Sequence, residues 1–235
     1  MLRRDFLALC GAFPVAVAGG RGARAPQGSL FRWERIRPDA WVVFNGGGNV
    51  LVIAEPGGAI VIDCKINGMG QLLKGEIASR IGTVSSVVIT HHHGDHSGGY
   101  PAFAGTRAIA HSAALPRIRG RAQRLIDAAR DKPQSLTDTL LDSLAKDFEV
   151  PRSDAARRAV AEDVARLASS AASADLASAA PADSIIDRSE LRVGNTTLEL
   201  IHVGPAQRRD PSRDCPARGG VDRCVVTMKQ QVARV

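Results

Sequence analysis

The stretch Thr90-His91-His92-His93-Gly94-Asp95-His96-Ser97-Gly98-Gly99 decides how this chain is read. Four candidate metal ligands, His91, His93, Asp95 and His96, fall within six residues. An apolar run over residues 84–90 leads into them and reads as a buried strand. Alternate residues of an extended chain point the same way, so His91, His93 and Asp95 converge on one side as the chain leaves that strand. Gly94 permits a sharp turn that brings His96 round beside Asp95. Imidazole nitrogens and carboxylate oxygens suit a borderline cation such as Zn²⁺. His91 with His93 would hold one ion and Asp95 with His96 a second, the pair activating a shared water at neutral pH. A histidine-rich surface loop is the competing reading. The spacing and the preceding strand argue against it.

His-x-His-x-Asp-His after an apolar strand resembles the metal motif of the metallo-β-lactamase-fold hydrolases. Val61-Ile62-Asp63 fits the Asp that closes an earlier strand in that family. The resemblance runs over residues 31–206 and implies an α/β fold, the metallo-β-lactamase-like αββα sandwich. It implies Zn²⁺ (one or two ions) as cofactor and a small-molecule substrate. The reaction implied is hydrolysis by metal-bound hydroxide of an ester, thioester, lactam, lactone or phosphodiester, with Asp95 orienting the nucleophile or relaying its proton. Family resemblance does not choose among these substrates.

The run Leu198-Glu199-Leu200-Ile201-His202-Val203-Gly204-Pro205-Ala206 ends where the family would continue with His-Thr-x-Gly-Asp, whose His completes the first ion's ligands. Here Gln207 follows. His202 lies inside the strand, where the family has a non-ligand. Residues 207–235 crowd Arg, Pro, Asp, Cys and Gly into an aberrant basic tail. A shift of reading frame near residue 207 would explain the missing His, the tail and the early stop together. A genuine short variant using Gln207 or a tail Cys is the alternative. On either account the C-terminal half is largely missing. The ligand set is then incomplete and one sheet is left uncovered. We expect a poorly stable, inactive chain, a metal-binding remnant of a hydrolase.

The formal charge of +7 invites a nucleic-acid reading, but its distribution argues against one. Arg3, Arg4, Arg21 and Arg24 face only Asp5 within residues 1–25, and residues 207–235 hold seven basic and three acidic side chains. The body, 26–206, has twenty of each sign. Arg3-Arg4 followed by an apolar stretch over 6–18 reads as an export signal of twin-arginine type, too short to span a bilayer, with Ala23-Arg24-Ala25 as a cleavage site. The chain is thus expected in the periplasm, touching membrane only through an uncleaved signal. Cys10 leaves with that signal, and the remaining Cys64, Cys215 and Cys224 make no disulfide framework. Cys64 reads as a small buried hydrophobe.

Residues 26–206 read as one domain. Short β-rich runs at 40–44, 49–55 and 59–63, punctuated by Asn45-Gly46-Gly47-Gly48 and Pro56-Gly57-Gly58, read as an antiparallel meander. The triple glycine is either a flexible loop overhanging the site or a plain turn. Residues 68–81 read as a helix on the spacing of Leu72, Leu73, Ile77 and Ile81. A short helix starting at Ser97 and a strand at 107–110 follow, with His111 as a surface or capping residue. Residues 113–180 read as a helical insertion with three apolar faces. The first is Ile118, Ala122, Leu125 and Ala129; the second Leu136, Leu140 and Leu144; the third Ala156, Val160, Val164 and Leu167. Pro133 and Pro151 separate the helices and Ser153 caps the third. The insertion would roof the site or serve as a packing surface. An Ala/Ser-rich stretch over 168–182 then leads to further strands at 185–186, 191–193 and 196–202, with Gly194-Asn195 as a turn.

Overall fold

The computed structural model describes residues 29–148, 150–169, 183–185, 188–193, 196–206 and 221–230. The export signal, most of the Ala/Ser stretch, the Gly194-Asn195 turn and residues 207–220 lie outside these.

Seven strands form one sheet in the order of the chain: β1 (Arg32–Arg37), β2 (Ala40–Phe44), β3 (Val50–Glu55), β4 (Gly58–Ile62), β5 (Val84–Ile89), β6 (Arg107–His111) and β7 (Asp183–Ile185). β1 to β4 are an antiparallel meander, as the glycine and proline punctuation predicts. From β4 onward the neighbours run parallel, because each connection carries a helix back across the sheet. These crossovers are α1 (Gly70–Arg80), then the single turn α2 (Gly94–Ser97) with a 3-10 turn over Tyr100–Phe103, then the insertion. The insertion comprises α3 (Leu115–Asp131), α4 (Pro133–Asp147) and α5 (Asp154–Ser169).

The strands are apolar on both faces, and alternation divides them cleanly. Val50, Val52, Ala59, Val61, Val87, Ile89, Ala108 and Ala110 face the helices. There they pack with Leu73 and Ile77 of α1 and with Ile118, Ile126, Leu140, Leu144, Val160 and Val164 of the insertion. Ile53, Ile60, Ile62, Val88 and Ile109 face the other way, onto Leu191, Leu198 and Leu200. Those leucines belong to a second sheet of β8 (Arg188–Val193), β9 (Thr196–Ala206) and β10 (Val221–Gln230), antiparallel with β9 central. This corrects the expectation of a bare face. β10 lies within the stretch read from sequence as an aberrant tail, and pairs along β9. Among the described residues Ile36 is the one exposed large hydrophobic side chain.

The helical insertion forms as read, with two adjustments. Ile126 rather than Leu125 is the buried member of α3, and Pro133 begins α4 at its first turn, where its missing N–H costs nothing. Ser153 Oγ accepts from Ala156 N at 3.2 Å, the expected cap. The insertion contributes to the main apolar core, as the packing reading has it. Among the described residues no helix is long and apolar enough to cross a membrane.

Candidate metal centre

The change from antiparallel to parallel pairing leaves the ends of β4 and β5 side by side. Ligand sites in open α/β sheets lie at such C-terminal strand edges. β4 ends at Ile62 and delivers Asp63; β5 ends at Ile89 and delivers Thr90 and His91. The chain stays extended through His93 (φ −62°, ψ 147°) and then enters α2. The short helix therefore starts at Gly94, three residues earlier than read from sequence. Asp95 reaches the site on a helical turn and not by strand alternation. A Cβ on Gly94 would lie 1.8 Å from Arg121 Nη1 of α3, the movable tip of a long side chain.

The four predicted ligands come together. The His91 and His93 rings are 4.8 Å apart between centroids, and those of His91 and His96 4.1 Å. Asp95 Oδ2 is 3.3 Å from His96 Nε2. The tightest trio of donor atoms, all within 4.8 Å of one another, is Asp63, His91 and His96. That trio crosses the pairing expected from sequence and brings in Asp63.

Asp63 works behind the imidazoles. It sits in the left-handed region at φ 67°, which Asp tolerates better than most residues. Its carboxylate accepts from Thr90 N at 2.8 Å, from Thr90 Oγ1 at 3.0 and 2.8 Å, and bonds His96 Nδ1 at 2.7 Å. A carboxylate only accepts, so Thr90 gives it the hydroxyl proton and the Thr90 oxygen takes one from His91 Nδ1, 2.9 Å away. His96 thus carries its Nδ1 proton to Asp63, and His91 carries its own to Thr90, which passes the bond on to Asp63. His96 Nε2 faces Asp95 Oδ2 at 3.3 Å, so an entering cation would take the place of a proton there. Asp63 thus orients both imidazoles, and its own carboxylate remains one of the three donors that lie within 4.8 Å of one another. Asp63, His91 and His96 are the residues placed to hold a metal ion, with His93 and Asp95 beside them, a donor set of imidazoles and carboxylates that suits a borderline cation.

Electrostatics put a proton where a cation would sit, because His96 lies between two carboxylates and is charged at neutral pH. Burial works to lower the His96 imidazole, yet its bonds to Asp63 and Asp95 outweigh that and raise it to about 9. The hydrogen bond to His96 draws Asp95 down to about 2. The site is a carboxylate pair around a histidine, which favours positive charge.

Backbone contacts dock this motif on its neighbours. Gly48 N donates to Asp95 O at 2.9 Å, Cys64 N to His96 O at 2.7 Å, and Gly99 N to Lys65 O at 3.0 Å. The glycine loop between β2 and β3 is thus joined by its backbone to the metal motif, of the two readings nearer to the loop beside the site. A Cβ on Gly48 would lie 2.5 Å from the His96 ring. Gly48→Ala is expected to keep the fold within about 1–3 kcal/mol. Its zinc affinity should fall about tenfold or more as His96 is pushed off Asp63. Zinc titration of both proteins checks this, and equal affinities would refute it.

Other candidates resolve differently. Cys64 is fully buried, and burial pushes its thiol well above the usual range, so it is the apolar residue expected. His111 is buried, not superficial. Its Nδ1 accepts from Ala113 N at 3.2 Å, and its ring stacks on His202 at 3.6 Å between centroids. Neither belongs to the donor trio. Sequence reasoning missed Lys65, Thr90 and Gly48. The signal for Lys65 was present: a lone cation in the apolar run Val61-Ile62-Asp63-Cys64-Lys65-Ile66.

Residues 43–121 match the family model of the metallo-beta-lactamase superfamily. No curated protein matches the chain in sequence. Among solved structures, it is similar to a metallo-beta-lactamase from Pontibacter korlensis, at 15% identity and TM-score 0.44, covering 74% of this chain and 61% of that one. It is similar to the DIM-1 metallo-beta-lactamase at 12% identity and TM-score 0.43, covering 74% and 59%. A HARLDQ-motif mutant of a metallo-beta-lactamase from Cronobacter sakazakii shows 16% identity and TM-score 0.41, covering 72% and 53%. The chain thus spans little more than half the length of these structures.

Proposed function

We propose, for a chain that belongs to the metallo-beta-lactamase superfamily through residues 43–121, a zinc-dependent hydrolase acting on a small molecule with an ester, thioester, lactam, lactone or phosphodiester bond. The observation that carries this reading is the convergence of His91 and His96 on Asp63, donor atoms within 4.8 Å, at the ends of two parallel strands. Zinc, when bound, supplies a Lewis acid and a water acidic enough to ionise near neutral pH. The chain supplies the rest. Thr90 and Asp63 hold the His91 and His96 rings through Nδ1, which fixes their placement, and His96 would give up a proton as the ion enters. Asp95, held near 2, stays a carboxylate at neutral pH. So weak a base suits orienting an attacking water better than keeping its proton.

A second reading is a metal-binding remnant without turnover. It is favoured by Gln207 standing where the resembled family places its third histidine. One experiment separates the two: zinc titration of the purified chain, followed by assay of a thioester, a lactone, a phosphodiester and a cephalosporin. Zinc binding with hydrolysis of any of these supports the enzyme. Binding without turnover assigns the remnant. Zinc weaker than about 10 μM, worth less than about 7 kcal/mol, would sink both.

A further inference from the structure

We propose that Lys65 is a positioning residue whose buried ammonium clamps the glycine loop at residues 45–48 onto the metal motif, fixing where Asp95 and His96 stand. Lys65 is 0% exposed and is the largest of the fully buried side chains among the described residues. Its backbone is left-handed at φ 68°, a conformation that favours glycine over a long side chain. An apolar residue, or glycine, would be the cheaper occupant of such a place. What the lysine contributes is seen at its tip. Nζ donates to Val43 O at 2.7 Å and to Gly48 O at 2.9 Å. Val43 lies in the strand entering the loop and Gly48 at the loop's exit, so one cation ties both arms. The Phe31 ring, 5.5 Å from Nζ, closes a third side, where the attraction of a cation for a ring face adds to the hold.

The loop needs such a tie. Asn45, Gly46 and Gly47 all carry positive φ, at 68°, 63° and 115°. Glycine-rich backbone gains more freedom on release than any other, so the loop alone is entropically disposed to open. Yet it must stay within contact of the motif. Gly48 N holds Asp95 O, and Gly48 backs directly on the His96 imidazole. Gly47 backs on Asp95 O and Ile66 N, with Ile66 N donating to Gly46 O at 3.4 Å. Lys65 is itself joined to the motif, since its own carbonyl accepts from Gly99 N. The lysine therefore bridges loop and motif from both ends: side chain to one, main chain to the other.

The consequence for zinc rests on the proposed function, while the consequence for the loop does not. The test is amide hydrogen exchange at Gly48 in the zinc-free full chain and zinc titration of the same samples, for the parent, Lys65→Met and Leu144→Ala. Leu144 is in α4, remote in sequence from the loop, and lowers global stability without touching Lys65. In Lys65→Met, Gly48 exchange is expected to rise at least tenfold while Val87 and Val88 in β5 stay within twofold, and zinc affinity to fall about tenfold. Leu144→Ala should leave the ratio of Gly48 to Val88 exchange as in the parent. Unchanged Gly48 exchange in Lys65→Met, or an equal change in Leu144→Ala, overturns the proposal. If the parent binds no zinc but Lys65→Met frees Gly48, the metal reading fails and the clamp stands. If Lys65→Met does not fold, the parent decides at about pH 5, below the value of about 7 to which burial lowers Lys65: a slowly exchanging Lys65 ammonium with hydrogen-bond couplings to Val43 and Gly48 supports the clamp, and its absence overturns it.

Discussion

Asp63→Ala is expected to cost about 4 kcal/mol or more of folding stability and to abolish tight zinc binding. Its carboxylate serves Thr90 N, Thr90 Oγ1 and His96 Nδ1. Asp63 is 4% exposed, so water does not replace it readily. Removing one member of a buried charged pair typically costs about 3–5 kcal/mol. Alanine at φ 67° adds about 1 kcal/mol, because its Cβ crowds the following carbonyl. Asp63→Asn isolates the chemistry from the packing. Asn tolerates the left-handed backbone, and its oxygen can still accept from Thr90 N. Its amide, however, is a donor that must face His96 Nδ1. His96 can answer only by moving its proton to Nε2, which puts a hydrogen where the cation should be. Asp63→Asn is thus expected to melt within about 2 kcal/mol of the parent but to bind zinc about 10–100-fold more weakly. Thermal unfolding and zinc titration read the two effects separately. Parental zinc affinity in Asp63→Asn would show that Asp63 does not orient the ligands.

What could be read from sequence and what could not divides by range of contact. The strand leading to His91 declares itself through local apolar content. The helical faces of α3 to α5 follow from spacings of three and four, each a property of one segment. The ligand cluster is legible for the same reason: four donors in one short stretch need little help from the rest of the fold. Lys65 reaches Val43 and Gly48 across 22 and 17 residues, and nothing in either stretch alone announces the bond. The role of Asp63 depends on Thr90, 27 residues away, and on His96, 33 away. The cover that Leu191, Leu198 and Leu200 give the second face was hidden because the partner strand of β9, β10, carries charged and polar residues at intervals that blur its period. Its pairing with β9 shows only in register. Gly94 illustrates a subtler failure. A glycine in a turn suggests a special φ, yet Gly94 has none, and a Cβ there would meet only the movable tip of an arginine from another helix.

That same distinction, space against dihedral, makes Gly99→Ala the change expected to damage the fold most for its size. Gly99 ends the motif, and its backbone has a negative φ of −78° that any residue adopts. The added methyl, though, would lie 2.0 Å from Cys64 O and 2.8 Å from Gly70 Cα. These are backbone atoms, with no rotamer to turn aside. Relief requires the turn after β4, the start of α1 and the motif to separate. That movement would break Gly99 N to Lys65 O and strain Cys64 N to His96 O, the bonds that dock the motif. Overpacking where side chains can adjust costs about 1–3 kcal/mol, and a rigid site should reach about 3 kcal/mol or beyond. Gly57→Ala is the matched control, since its Cβ meets nothing within 4 Å, and it should stay within about 0.5 kcal/mol of the parent. Urea unfolding of the three proteins measures the difference. A Gly99→Ala midpoint equal to the parent's would mean that the motif and the Cys64 turn are not in contact, and the docking of His96 on Asp63 would lose its backbone support.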